Sequence, residues 1–323
     1  MNAPRGLPPG FSRTALRRDH LLITPADHVR APLPGWTNTA GIILISPRLG
    51  AAFSQYIAEM DEGGESGPPL PGVERFLYVV RGEIELRRNG TPNACGCESA
   101  SLSKTASGGA AFLGEGGYAY LPPGTVHTAR ALTKAQVIAF EKRYQRLDKT
   151  PTPGIAAGNE RDVKGTPFLG DPDAVLQTLL PDHPAFDMAV NIFTFQPGAS
   201  LPRPEIHVME HGLVFLAGGG IYRLGDNWYP VQEGDVIWMA PFCPQWFAAV
   251  GKMPARYLYY KDVNRDPLAV LAEYPAAALQ ANPTAAHWAN PAPIPAPIPA
   301  SNPFPNPSAN DVTARPASEG DVG

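Results

Sequence analysis

Cysteine is scarce in this chain: three residues, Cys95, Cys97 and Cys243, among 323. A sparse, odd set builds no disulfide framework, and a reducing cytoplasm is the expected setting. Cys95 and Cys97 lie in a Gly/Ser-rich stretch, are too few for a zinc site of their own, and read as surface thiols. Long apolar runs are also missing. No stretch of about 18 consecutive apolar residues occurs, so no membrane-spanning helix is expected. The opening Met-Asn-Ala-Pro-Arg-Gly has no apolar core of the kind a secretory leader carries. Charge is low, at 17% charged residues and a net −4. With no basic stripe and no aromatic-basic motif, nucleic acid is not an expected partner.

What the chain has in quantity is turn formers, 32 glycines and 38 prolines. They separate many short apolar runs, as in the alternating Met188-Ala-Val-Asn-Ile-Phe-Thr-Phe, which points to an all-β sandwich or small barrel. The length allows about two domains. A break at Lys149-Thr-Pro-Thr-Pro-Gly suggests one unit over 1–148, a linker over 149–169 and a second unit over 170–275. Residues 90–112 read as an inserted loop. From about residue 276 the chain is Ala/Pro-rich, and at that density prolines supply no backbone donors, so 276–323 is expected to be a disordered tail.

The two units repeat one another. Val73-Glu-Arg-Phe-Leu-Tyr-Val-Val-Arg-Gly82 aligns with Met209-Glu-His-Gly-Leu-Val-Phe-Leu-Ala-Gly218, which puts Glu74 on Glu210 and Arg75 on His211. Glu115-Gly-Gly-Tyr-Ala-Tyr-Leu-Pro-Pro123-Gly-Thr-Val-His127 aligns with Glu233-Gly-Asp-Val-Ile-Trp-Met-Ala-Pro241-Phe-Cys-Pro-Gln245, which puts His127 on Gln245.

Residues 205–211 read Glu-Ile-His-Val-Met-Glu-His. On a β-strand the side chains of Glu205, His207 and His211 share one face. A carboxylate and two imidazoles converging from one strand make a divalent-metal site. A helix would swing Glu205 away, and the glycine run at 218–220 disfavours one. The same register gives Pro69, Pro71 and Arg75 in the first unit, so the metal is expected in the second unit only, with His127 a buried, hydrogen-bonded remnant. On a regular strand Glu210 points away from the metal and reads as structural or at the domain interface. By its residue type alone, Gln245 reads equally as a polar residue at a barrel mouth; its register with His127 favours ligation.

These motifs resemble the cupin superfamily, whose first motif carries His-x-His with a third ligand and whose second motif has the form Gly-x5-Pro-x-Gly-x2-His. The uneven pair here, with Glu205-x-His207-x3-His211 and Gln245 in the second unit, is similar to the two-barrel (S)-ureidoglycine aminohydrolases. The likeness extends through Gly220-Ile-Tyr-Arg-Leu-Gly-Asp-Asn-Trp-Tyr, Gly234-Asp-Val-Ile-Trp-Met-Ala-Pro-Phe and Arg256-Tyr-Leu-Tyr-Tyr-Lys261. It implies two tandem double-stranded β-helix (jelly-roll) barrels, with Mn(II) held by Glu205, His207, His211 and Gln245. It also implies hydrolysis of (S)-ureidoglycine to (S)-ureidoglycolate and ammonia in purine (allantoin) breakdown. Tyr222, Tyr257 and Lys261 become substrate contacts by the same carry-over, and a homo-oligomer is expected. Hard oxygen donors with imidazole nitrogens suit Mn(II). Glu205 is the candidate for proton transfer, and Lys261 for pairing with the substrate carboxylate or donating to its ureido carbonyl. Other cupin activities, oxygenase or decarboxylase, use the same barrel, and a non-catalytic binding protein is a third reading. Four protein ligands count against an iron oxygenase, and an intact ligand set in one unit counts against the binding protein.

Overall fold

The computed structural model describes residues 12–88 and 110–266. The expected tail 276–323 and most of the 90–112 insertion lie outside them. Ala110–Leu113, at the end of that insertion, is a strand paired with Ile84–Arg88, so the insertion joins two neighbours in one sheet. The described elements are strands and short 3₁₀ turns, as the turn-rich composition requires. Among the described residues no helix is long and apolar enough to cross a membrane.

One large sheet runs Ala156–Asn159, Gly117–Leu121, Val73–Arg81, Ala135–Arg143, Phe53–Glu65, His127–Ala131, Ile84–Arg88, Ala110–Leu113, with Thr37–Ile45 also on Phe53–Glu65. A second runs Ala15–Leu16, His20–Ile23, Val236–Met239, His211–Ala217, Ala255–Asp262, Met188–Phe195, Asp171–Thr178, Thr166–Phe168. A three-stranded sheet, Asn227–Gln232, Gly219–Leu224 and Gln245–Ala249, faces the second across its interior. These are the barrel-like sheets of a tandem cupin.

Strand alternation explains how the barrels meet. In Met188–Phe195, Met188, Val190 and Ile192 belong to one core cluster, and Phe193 and Phe195 to another. In Ala255–Asp262, Leu258 and Tyr260 join the first, and Tyr257 and Tyr259 the second. Side chains two apart share a face, so one face fills the second barrel and the other packs on the first barrel. The first barrel mirrors this, with Phe76, Tyr78, Ile138 and Phe140 outward and Leu77, Val79, Val137 and Ala139 inward. Because both faces are covered, the strands read as nearly continuous apolar runs. At the junction Phe53 stacks on Tyr260, with centroids 4.0 Å apart. Gly212 makes that approach possible, since a Cβ there would lie 2.3 Å from the Phe53 ring.

Two segments cross the boundaries read from composition. Ala15–Leu16 and His20–Ile23, inside the expected first unit, are hydrogen bonded into the second sheet through Val236–Met239. The 149–169 segment gives Ala156–Asn159 to the first sheet and Thr166–Phe168 to the second. Edge strands recruit whichever segment can cover their open backbone groups, and composition does not register that demand.

Candidate metal centre

The structure corrects the reading of 205–211 as one strand. Glu205 is an isolated bridge residue, and the regular strand begins only at His211. The reason is a distant partner. Glu205 N–H donates to Gln245 O at 2.8 Å and Gln245 N–H donates back to Glu205 O at 3.0 Å, while Phe242 N–H donates to His207 O at 2.7 Å. These bonds tie the ligand-rich segment to the loop before Gln245–Ala249 and bend it inward.

Three nitrogen atoms meet there. His207 Nε2 lies 3.1 Å from His211 Nε2, and Gln245 Nε2 lies 3.0 Å and 3.4 Å from the two. His207 Nδ1 donates to Met209 O at 3.2 Å, which leaves Nε2 bare. Burial lowers the His207 pKa to about 4 and holds that of His211 well below the usual value, so both rings are neutral near pH 7. One lone pair on His207 Nε2 faces two polar neighbours and can serve one donor. A cation accepting lone pairs from all of them relieves this crowding. Two donors each ~2.1 Å from one ion at a right angle stand ~3.0 Å apart, close to the spacing seen. The donor set therefore fits a divalent metal.

Gln245 is the first residue of its strand and is buried. Its Oε1 accepts from Tyr222 Oη at 3.2 Å, and the Tyr257 hydroxyl hydrogen bonds that of Tyr222. Burial pushes the pKa of both tyrosines far up, so they remain donors. Lys261 is the cross-strand partner of His211. Burial lowers its pKa, and the Glu205 carboxylate opposes that; the Glu205 pKa is raised by burial against Lys261. Glu205, His207, His211, Gln245, Tyr222, Tyr257 and Lys261 thus all border one cavity of about 70 Å³. Glu205 lines the cavity without closing on the imidazole pair. Among the described residues, the three metal-type ligand atoms that lie within 4.8 Å of one another belong to Asp19, His20 and Cys243.

Sequence reasoning missed the Met209 carbonyl, a backbone acceptor that fixes the His207 tautomer. It also passed over Phe168, which borders the cavity from the expected linker. Glu210 points away from the imidazoles. It accepts from Ala52 N–H at 3.0 Å and Trp238 Nε1–H at 2.7 Å, joining the two barrels.

The first barrel holds a different solution in the same register. Arg75 pairs with Glu141 across the strands as His211 pairs with Lys261. Its guanidinium donates to Glu141 at 2.6 Å, to Gly67 O at 2.8 Å and to His127 Nε2 at 3.0 Å, and lies over the Trp36 ring. His127 is buried, with Nδ1 on Thr125 O at 2.9 Å.

The Cupin domain family matches residues 191–260. The (S)-ureidoglycine aminohydrolase of Arabidopsis thaliana is 46% identical over 262 residues, 80% of this chain and 81% of that protein. The Escherichia coli K12 protein of the same name is 36% identical over 251 residues, 76% of this chain and 88% of that protein. Among solved structures, protein Ylba from E. coli superposes with a TM-score of 0.66 at 32% identity, covering 79% of this chain and 96% of the other. Bacillus subtilis oxalate decarboxylase superposes with a TM-score of 0.54 at 11% identity, covering 80% and 82%, a likeness of fold alone.

Proposed function

Since the chain belongs to the (S)-ureidoglycine aminohydrolase family of cupins, hydrolases of C–N bonds, we propose that it converts (S)-ureidoglycine and water to (S)-ureidoglycolate and ammonia, with Mn(II) held by Glu205, His207, His211 and Gln245, as a step of purine (allantoin) breakdown. The observation that carries this reading is the pair of neutral imidazoles 3.1 Å apart, His211 buried and His207 half-buried, beneath a cavity that Lys261 and Glu205 also line. An amide ligates through oxygen, so Gln245 would hold the ion through its carboxamide oxygen, with its NH₂ turned towards Tyr222 Oη. Glu205 would complete the set with its carboxylate.

When bound, Mn(II) supplies Lewis acidity and lowers the pKa of a coordinated group. The rest falls to the chain. Lys261, the cation at the cavity, pairs with the substrate carboxylate. Glu205 takes the proton of the attacking water and delivers it to the departing amine. The C–N bond to that amine breaks, a C–O bond forms at the same carbon, and ammonia leaves. Tyr222 and Tyr257 hold Gln245 in place and keep the surroundings dry. The cavity suits a small polar metabolite and is far below the several hundred Å³ of a drug-sized pocket.

The test is ammonia release from freshly generated (S)-ureidoglycine, measured against its spontaneous decay. Release above that background should vanish on chelation and return with Mn(II). No acceleration by the Mn-loaded protein overturns the substrate assignment.

A further inference from the structure

Outside the cavity, ligand atoms from two distant parts of the chain converge. Asp19 and His20 enter on the amino-terminal arm, and Cys243 lies in the loop that leads to Gln245. One ligand atom from each lies within 4.8 Å of the other two. The loop is fixed against the arm, with Ala240 N–H on Asp19 O at 2.9 Å and Cys243 N–H on Ala240 O at 3.1 Å. His20 Nδ1 is 2.9 Å from Asp19 Oδ1, and the Cys243 thiol donates to Pro244 O at 3.6 Å. The other ring nitrogen, Nε2, is 2.9 Å from Tyr229 Oη. His20 and Cys243 are buried, and the Asp19 side chain is 45% exposed, so one side of the cluster is open to water. The facing turn leaves room. Gly225 has φ +57, and a Cβ there would stand 3.2 Å from Asp19 Oδ2 and 3.8 Å from the His20 ring.

We propose that Asp19, His20 and Cys243, brought together where the amino-terminal arm meets the 240–245 loop, form a second metal site that takes a borderline-soft divalent ion of the Zn(II) type, with water as fourth ligand. One thiolate, one imidazole and one carboxylate are donors of that class, unlike the sulfur-free set of two imidazoles, a carboxylate and an amide expected to hold Mn(II). Two negative ligands cancel the charge of the ion, so the buried assembly is neutral. On binding, Sγ releases its proton to solvent and forms the metal–sulfur bond. His20 ligates through Nδ1, which gives up the proton it holds against Asp19, and the ring takes a proton from solvent on Nε2, directed at Tyr229, the usual outer partner of a ligating imidazole. The ion ties residues 19–20 to the loop that positions Gln245, a structural role separate from turnover.

Co(II) is the probe, added to the full chain carrying Cys95→Ser and Cys97→Ser so that Cys243 is the sole thiol. An intense near-ultraviolet thiolate-to-cobalt band is expected to saturate within two equivalents, the other ion going to His207 and His211, and to be displaced by Zn(II). Cobalt at His207 and His211 gives no such band, because no thiolate is present there. The band should disappear in Cys243→Ser and weaken at least tenfold in apparent affinity in Asp19→Asn. Zn(II) should raise the Tm of the parent by more than that of Cys243→Ser, which keeps only the His207 and His211 site. A folded parent with no sulfur band under excess Co(II), or a band that survives Cys243→Ser, overturns the site. If Cys243→Ser does not fold, the parent spectrum and Asp19→Asn decide the matter.

Discussion

In the proposed reaction Glu205 carries two demands at once, ligation and proton transfer, and its pKa is raised by burial against the opposing pull of Lys261 and Arg203. Glu205→Gln keeps the shape and a ligating oxygen but cannot take up a proton. Turnover should fall by ~10²–10⁴, the usual worth of a general base, with Tm unchanged; comparable kcat in the variant would remove Glu205 from the proton path. Tyr222 acts through Gln245. Tyr222→Phe deletes the 3.2 Å hydrogen bond that orients the amide. Mn(II) affinity should drop ~10–100-fold in equilibrium titration, the range for a group that orients a ligand. Much of the site is legible in the sequence at this scale. The register of Gly82 with Gly218 pairs Arg75 with His211, and the strand pairings repeat that equivalence, with Glu141 standing where Lys261 stands. The Met209 carbonyl and the crowding at His207 Nε2 are not legible, because they are backbone and packing facts.

Elements show why the 205–211 segment escaped a correct local reading. Its spacing matches a strand, yet its backbone partners are Gln245 and Phe242, far along the chain, and only non-local pairing sets where regular strand begins. Alternation within Met188–Phe195 was readable, but its division between two cores was not, since both faces are apolar. Gly212 lies where Phe53 of the first barrel packs on the second. Gly212→Ala would drive a methyl into the Phe53 ring and displace the strand that starts with His211. A loss of ~1–3 kcal/mol is expected in chemical denaturation, as for overpacked cores, together with weaker Mn(II) binding. An unchanged denaturation midpoint would mean that the barrels can part at no cost.

At the scale of the whole molecule, the seam between barrels holds acid groups in unusual states. Burial and the facing Asp187 carboxyl push the Glu74 pKa up to about 9, and Tyr120 Oη donates to Glu74 at 2.6 Å. Lys142 Nζ donates to Asp187 at 2.6 Å. Glu74 therefore keeps its proton in the folded chain and loses it near the usual pKa of 4.5 when unfolded. A carboxyl with a raised folded pKa contributes stability that is full below about 4.5 and shrinks as pH rises towards 9. Burial acts on the histidines in the opposite sense. His127, lowered to about 4, contributes fully above about 6.5 and loses that contribution as pH falls towards 4. Stability should therefore decline between pH 7 and 9 through Glu74, by up to about 1.4 kcal/mol per pH unit. Glu74→Gln, which mimics the protonated acid, should flatten the slope in that range; a slope that persists would place its origin elsewhere. The arm that crosses to the second sheet was not legible in the sequence, because nothing local to residues 15–23 names its partner.

That arm sets a schedule. Residues 20–23 leave the ribosome among the first of the described chain, and the strand they pair with, Val236–Met239, is among the last. The amino-terminal barrel can close as it emerges, in the usual vectorial order. The carboxy-terminal barrel cannot: the two strands at one edge of its sheet are made first and wait for their partner until about three-quarters of the chain has been synthesised.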